Sequence, residues 1–398
     1  MPLSPARTRL LVGAGVVLLA LNLRPAVNAV GAVIPVLQPD VGLSGTGSGL
    51  LLSLPTVAFA VLGLTAPRVA DRFGAERTVV AALAAMIVGQ VVRSFVPGLP
   101  ALFGGSLIAL TGIAMANVLI PGLVRKSFPD RIAGMTAAYT VALTLGAALS
   151  AAVTLPFGEA VGGGWRTGLA LWAATAAVAM VPWLAVAHVP TEKERADTPE
   201  RIGLGRLART SMAWVLAGFF GTQALIAYVT FGWLPSIAVD RGLSTTAAGL
   251  QVTLATAVGL PVAAIVPLIL GRARRPGLLV IALSAGYVLG FGGLILQVGP
   301  IWLLATLIGV GTGVFPLVLT LIALRARTTA GALSLSAFTQ SVGYLLASAG
   351  PVGFGALHDV TGDWTVPLLA LLVVAVAQAV LGLSATRPRF IEDALSRR

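Results

Sequence analysis

The sequence predicts an all-α membrane protein, with twelve transmembrane helices in two pseudo-symmetric six-helix bundles. Three observations carry that expectation: how few charges there are, how the apolar residues are spaced, and where the basic residues fall. Only 10% of the 398 residues are charged and 57% are hydrophobic, with a mean hydropathy of +0.96. Soluble domains carry about 25% charged residues, so water is not the main solvent of this chain. A helix crosses a bilayer with about 20 apolar residues, and twelve such segments fit the length with room for loops and tails.

The segments are delimited by charged punctuation. The first span is expected near 10–36, after Arg7 and Arg9 and before Asp40. The second and third, near 47–67 and 78–96, are separated by Arg68, Asp71, Arg72, Glu76 and Arg77. The fourth, fifth and sixth fall near 100–124, 133–157 and 166–187, with Arg125, Lys126, Asp130 and Arg131 between the fourth and fifth. A polar stretch, His188 to Arg209, contains TEKERADTPER and reads as a solvated linker. The second set lies near 211–237, 246–270, 277–297, 301–324, 330–353 and 364–385. The predicted organisation is therefore a bundle over 1–187, a cytoplasmic linker over 188–209, and a second bundle with a cytoplasmic tail over 210–398.

Loop charge orients the chain. Of the 26 Lys and Arg, Arg93, Arg166 and Arg241 fall on one side and Arg24 lies within a span, while all the others lie on the opposite side together with both termini. Basic loops stay in the cytoplasm, so both termini are expected there, in a bacterial cytoplasmic membrane. The net charge of +12 is then a matter of topology and anionic lipid, and no nucleic-acid partner is expected. Cysteine is absent and there are two histidines, His188 and His358. That excludes disulfides and thiol chemistry, and no metal or cofactor is expected. The basic, apolar start imitates a signal peptide, but eleven more spans follow and it reads as an uncleaved first helix.

Polar residues inside the spans are the candidates for function. All fourteen acidic residues map to loops, tails or helix ends. Arg24 lies about 21 Å beyond Leu10 along an ideal helix, near mid-bilayer, with no carboxylate in a neighbouring span to pair with it. One reading has Arg24 capping carbonyls that Pro25 frees; the other makes it a fixed positive charge awaiting an anion or an electron-rich solute. Asn28, Gly31 and Pro35 share its helix face, and Asn22 is nearby. Asn117 is a second mid-membrane amide, in the fourth span. Gln223 and Tyr228 lie on the seventh span, Ser336, Gln340, Tyr344 and Ser348 form a stripe on the eleventh, and Thr136, Thr140 and Thr144 form another on the fifth beside Tyr139. Such stripes serve either as interhelical glue or as ligand contacts. The run Gly309-Val310-Gly311-Thr312-Gly313 lies within an apolar helix with no preceding strand, so it reads as close packing and not as a phosphate loop.

The two halves also resemble each other. Gly112–Ala147 parallels Gly311–Tyr344, aligning Arg125 with Arg325 and Gly134 with Gly331. Duplicated six-helix units are how the major facilitator architecture is built. The loop Pro67-Arg68-Val69-Ala70-Asp71-Arg72-Phe73-Gly74-Ala75-Glu76-Arg77 resembles that superfamily's signature between its second and third helices, with Pro67 in place of the usual first Gly. Asn22-Leu23-Arg24-Pro25, Asn117 to Pro121, Phe128-Pro129-Asp130-Arg131, Gln340 to Tyr344 and Leu357-His358-Asp359 with Thr361-Gly362 resemble the cyanate and 2-nitroimidazole transporter family over nearly the whole chain.

The resemblance implies a rocking, alternating-access carrier with its site at the interface of the halves, moving a small anion or polar heterocycle. The substrate-binding set expected is Asn22, Arg24, Asn28, Asn117, Tyr139, Gln223, Tyr228, Gln340 and Tyr344, with Asp71, Arg72 and Arg131 at a cytoplasmic gate. Drug or metabolite efflux on the same fold is the alternative, although the drug–proton antiporter signatures are missing. A membrane enzyme is disfavoured by the absence of HExxH, GxSxG or an intramembrane His–carboxylate set, and a sensor by the absence of a soluble effector domain. The partners expected are a small-molecule substrate and membrane lipid, with the protein a monomer. Proton coupling would have to run through the solute, His358, Asp359 or Asp363, and facilitated diffusion or exchange is equally compatible.

Overall fold

The computed structural model describes residues 4–62, 66–187 and 202–396. Among the described residues there is no strand. The helices are α1 (Pro5–Asn22), α2 (Pro25–Val41), α3 (Gly45–Leu62), α4 (Ala66–Phe73), α5 (Ala75–Phe95), α6 (Leu99–Ser127), α7 (Ile132–Ala160) and α8 (Gly164–Val186). After the linker come α9 (Leu204–Leu207), α10 (Ser211–Asp240), α11 (Thr245–Arg272), α12 (Pro276–Leu296), α13 (Ile301–Gly311), α14 (Val314–Leu324), α15 (Thr329–Thr361), α16 (Thr365–Ala385) and α17 (Ile391–Ser396).

Among the described residues, ten helical segments are long and apolar enough to cross a membrane. Two more of the twelve expected spans are α3, which is short, and α15, which is long but carries Ser334, Ser336, Thr339, Gln340, Ser341 and Ser348. Two expected spans are interrupted. The first is broken between Asn22 and Pro25, and the tenth between Gly311 and Val314. Most of the expected linker lies outside the described residues. Its end is held down, because the Ile202 N–H donates to Ser334 Oγ at 3.0 Å and Leu207 is fully buried.

The helices form two compact units that do not coincide with the halves of the sequence. The first holds α1, α2, α4 to α8 and the stretch Phe231–Thr253, where α10 ends and α11 begins. The second holds α3, α9, most of α10, the rest of α11, and α12 to α17.

Without a hydrophobic driving force between helices, packing depends on small residues that bring backbones together. In the first unit, α5 and α6 meet through Gly89, Gly105 and Gly112, whose missing Cβ atoms face, respectively, the Ala109 and Gly105 backbone, the Arg93 and Gly89 backbone, and the Ala82 carbonyl. In the same unit Gly31 of α2 faces the Phe231 carbonyl, and Gly249 of α11 faces that of Ala151. Thr253 Oγ1 donates to the Ala148 carbonyl at 3.1 Å beside the latter contact. In the second unit the run around the α13–α14 break is packing, as expected: Gly309 faces the Ala255 carbonyl, Gly311 the Tyr287 ring, and Gly313 the side chains of Val262 and Leu283.

Charged residues at the ends close the helices off. Arg325 donates through Nε to the Ala385 carbonyl at 2.9 Å and through Nη2 to the Thr386 carbonyl at 2.8 Å, placing a cation on the C-terminus of α16. In the first unit Asp40, at the end of α2, accepts from Arg166 at 2.7 Å and from the Trp165 indole at 3.0 Å, both in the first turn of α8.

Backbone contact makes a sharp contrast between two glycines on α6. Gly112→Ala drives a methyl into the Ala82 carbonyl and should cost about 1–3 kcal/mol. Gly104→Ala meets nothing within 4 Å and should be neutral or slightly stabilising, because alanine is the better helix former. Thermal unfolding of the two purified variants, each against the unaltered protein, checks both.

Candidate functional site

The break in the first span organises the polar residues of the first unit. Pro25 has no N–H, so the Leu21 carbonyl loses its partner four residues on. That oxygen lies against the α-carbon of Gly146 on α7, close enough that any side chain there would collide. Asn22 ends α1 by turning back: Nδ2 donates to the Leu18 carbonyl at 2.9 Å and the Thr175 carbonyl at 3.3 Å, while Oδ1 accepts from Thr175 Oγ1 at 2.7 Å. At 2% exposure, Asn22 is committed to tying α1 to α8.

Arg24 opens α2 from the break. Its carbonyl accepts from the Val27 and Asn28 N–H groups, both at 3.0 Å. Its half-buried side chain has no hydrogen-bond or ion-pair partner among the described residues. The carbonyl that Pro25 frees is packed against Gly146, and the guanidinium is left uncommitted. One turn on, Asn28 is 2% exposed and its Nδ2 donates to nothing. Asn117 on α6 and Tyr139 on α7 are half-buried, and neither side chain has a hydrogen-bond partner among the described residues.

Arg93, expected among the charges of the outer side, lies near the end of α5 at 2% exposure. Nη1 donates to the Ala26 carbonyl at 3.1 Å and Nη2 to Gln90 Oε1 at 3.1 Å, while Nε has no partner. Ala26 is the second residue of α2, so a buried cation braces the first turn after the break. The signal was present in the sequence, because a lone Arg within an apolar run is a functional candidate wherever it falls.

In the second unit the expected residues separate into two groups. Gln223 is 1% exposed, and its amide is committed internally: Nε2 donates to Tyr287 Oη at 3.1 Å and Oε1 accepts from Gln378 at 2.7 Å. Tyr228 and Tyr344 do come together, with ring centroids 6.5 Å apart. Tyr344 also contacts Phe220 at 5.0 Å and Phe59 at 5.4 Å, which makes an aromatic cluster. Gln340 donates to Ser336 Oγ at 2.8 Å within the α15 stripe.

Of the expected gate residues, the side chain of Asp71 lies outside the described residues. Arg131 is exposed at the start of α7, and Arg72 lies over the Phe73 ring at 5.3 Å. The ion pair described in this region of the first unit is Lys126 with Glu76, at 2.8 Å. Among the described residues no three His, Asp or Glu side chains come together.

A polytopic helical protein with a broken span and an uncommitted intramembrane Arg belongs to the class of membrane carriers. Residues 12–351 match the Major Facilitator Superfamily, and the chain belongs to that superfamily. It is 33% identical over 381 residues to an uncharacterized transporter, YycB, of Bacillus subtilis, covering 95% of this chain and 94% of that protein. To a 2-nitroimidazole transporter of Escherichia coli it is 33% identical over 387 residues, covering 97% and 98%. To the cyanate transport protein CynX of the same organism it is 29% identical over 358 residues, covering 87% and 90%. In fold it is similar to the nucleoside transporter NupG, with a TM-score of 0.79 at 14% identity over 96% of this chain and 100% of that one. The D-xylose-proton symporter gives 0.74 at 15% identity over 96% and 97%. The chain is therefore a multi-pass membrane transporter of the major facilitator fold, acting on a small molecule, and not an enzyme.

The Asn22 clasp makes a direct prediction. Asn22→Ala removes the buried side-chain hydrogen bonds to the Leu18 and Thr175 carbonyls and from Thr175 Oγ1, which should cost about 1–3 kcal/mol. The thermal midpoint of the purified variant should fall accordingly, and an unchanged midpoint would show that the clasp is not structural.

Proposed function

We propose that this transporter moves a small, acceptor-rich solute, an anion or polar heterocycle of the cyanate or nitroimidazole kind, with Arg24 as its anchoring charge. The observation that carries this reading is the uncommitted guanidinium at the break of the first span. A cation held inside a membrane protein costs several kcal/mol unless something neutralises it, and here that is assigned to the solute. A planar guanidinium fork suits carboxylate-like or linear acceptors better than an ammonium does. Asn28 offers a free amide donor one turn away. The braced charge of Arg93 adds positive potential to the same turn of α2 without being consumed by a carboxylate. Two relatives named for 2-nitroimidazole and cyanate support the solute class.

Loading the site lowers the cost of burying Arg24, so the occupied carrier rocks more readily than the empty one. Asn117 and Tyr139 are assigned as further polar contacts in the first unit, and Gln340, Tyr344 and Tyr228 in the second. Asn22 and Gln223 act through the helices they hold. The aromatic cluster around Tyr344 favours planar solutes, since π-faces accept stacked rings. In this reading the six-helix division at 188–209 separates the moving halves, the protein works as a monomer, and both termini face the cytoplasm of a bacterium.

The test is a thermal-shift screen of purified protein against cyanate, nitrate, small carboxylates and nitroimidazoles, followed by uptake into proteoliposomes. A ligand at 100 times its Kd should stabilise by about 2.7 kcal/mol. Arg24→Gln should abolish that shift and cut uptake, because hydrogen bonds to a charged group are worth about 1.5–3 kcal/mol, on the order of tenfold to hundredfold in affinity. Arg24→Lys should fall between. Uptake by Arg24→Gln equal to that of the unaltered protein would remove Arg24 as the anchor.

A further inference from the structure

We infer that Asp359 is the latch of an outer gate: its carboxylate fastens the start of α3 to the end of α15, and it must let go each time the carrier opens outward. The argument starts from the four N–H groups that begin any helix without an internal partner. In α3 the Ser48 N–H makes the first helical bond, to the Ser44 carbonyl at 2.9 Å, and the Gly47 N–H is met locally by Ser44 Oγ at 3.0 Å. Those of Gly45 and Thr46 are not. They donate to Asp359 Oδ1 and Oδ2, each at 2.7 Å, and Thr46 Oγ1 adds a third bond at 2.7 Å. A carboxylate on a helix N-terminus is favoured by the helix dipole as well as by these bonds.

Below the latch the two helices touch backbone to backbone, within the second unit. Gly45 faces Asp359 and the Gly355 carbonyl, and Gly49, four residues on, faces the Pro351 carbonyl and the Val352 α-carbon. Pro351, Gly355 and Asp359 are spaced by the same four residues, so two matching stripes without bulky side chains lie along each other. Such a seam is tight but has no interlocked side chains to disengage when it parts. The polar bonds at its end are reached by water, which can replace the lost partners, so the fastening is reversible. The partners are 313 and 314 residues apart in sequence, one from each predicted half. Local folding of either helix does not require them to meet, whereas closing one side of a two-bundle carrier does. On the orientation proposed above, both helix ends lie on the outer face. The inference rests on that orientation and not on the solute assigned to Arg24.

The chain has no cysteine, so Ser48→Cys introduces a single thiol. Ser48 is fully buried between Gly45 and Gly49 on α3. In intact cells a membrane-impermeant maleimide should label it slowly while the latch holds. Adding Asp359→Asn should raise the labelling rate roughly tenfold or more, since it removes charge-assisted bonds. Gly49→Leu, which wedges the seam apart with Asp359 intact, should label quickly in a protein that still elutes as a single species. Unchanged labelling with Asp359→Asn alongside fast labelling with Gly49→Leu would overturn the latch. Slow labelling in both would overturn the moving seam, and fast labelling only in inverted vesicles would overturn its assignment to the outer side. No solute is needed, so failure here is distinct from failure of the Arg24 anchor.

Discussion

A helix inside a membrane protein cannot leave its backbone unsatisfied, and the interruption at Pro25 is where that constraint bears hardest on this chain. Lipid offers no hydrogen bonds, so each group released by the break has to be met by protein. Around it the Leu21 carbonyl packs against the bare α-carbon of Gly146, Asn22 is tied to Thr175, and Arg93 donates to the Ala26 carbonyl in the first turn of α2. Three neighbouring helices, α5, α7 and α8, therefore converge on one turn. None of these contacts uses the Arg24 side chain, which has no hydrogen-bond or ion-pair partner among the described residues.

The distribution of charge follows a single logic. Carboxylates stand at helix ends, where they meet N–H groups or cations: Asp40 at the start of α8, Asp359 at the start of α3, Glu76 with Lys126. The cations deep in the first unit, Arg24 and Arg93, have no carboxylate partner among the described residues. A buried ion pair would fix the local charge near zero, whereas an unpaired cation costs stability; on the function proposed above, binding an anion is what relieves that cost.

Much of this was legible in the sequence. Apolar segment length and charged punctuation set most helix ends within a few residues, because hydrocarbon thickness and the cost of charge both act on short, local stretches, although α15 runs to Thr361 where the eleventh span was expected to end near 353. Arg24 was conspicuous for the same reason. The composition of compact units was not legible, since the stretches Ser44–Ala60 and Phe231–Thr253 each join a unit built mainly from the other half, and no local pattern encodes which backbone a glycine will face. Gln223 and Asn22 showed why polar residues are ambiguous: the same amide serves as glue or as ligand contact depending on whether a Thr175 or a Tyr287 stands across from it. The burial of Arg93 was not legible either, because it depends on how closely α6 approaches at Gly105.

That burial also bears on how the chain is made. A nascent span carrying an arginine partitions poorly into lipid when it is alone. The acceptors that Arg93 uses are Gln90, on its own helix, and the Ala26 carbonyl, on a helix synthesised earlier. When the third span leaves the ribosome, the protein surface that solvates its charge is already in the membrane, since chains are built from the N-terminus. Gly105, which closes over Arg93, follows on the next span. The order of the sequence is thus a workable order of insertion, in which each segment provides the solvent for the next.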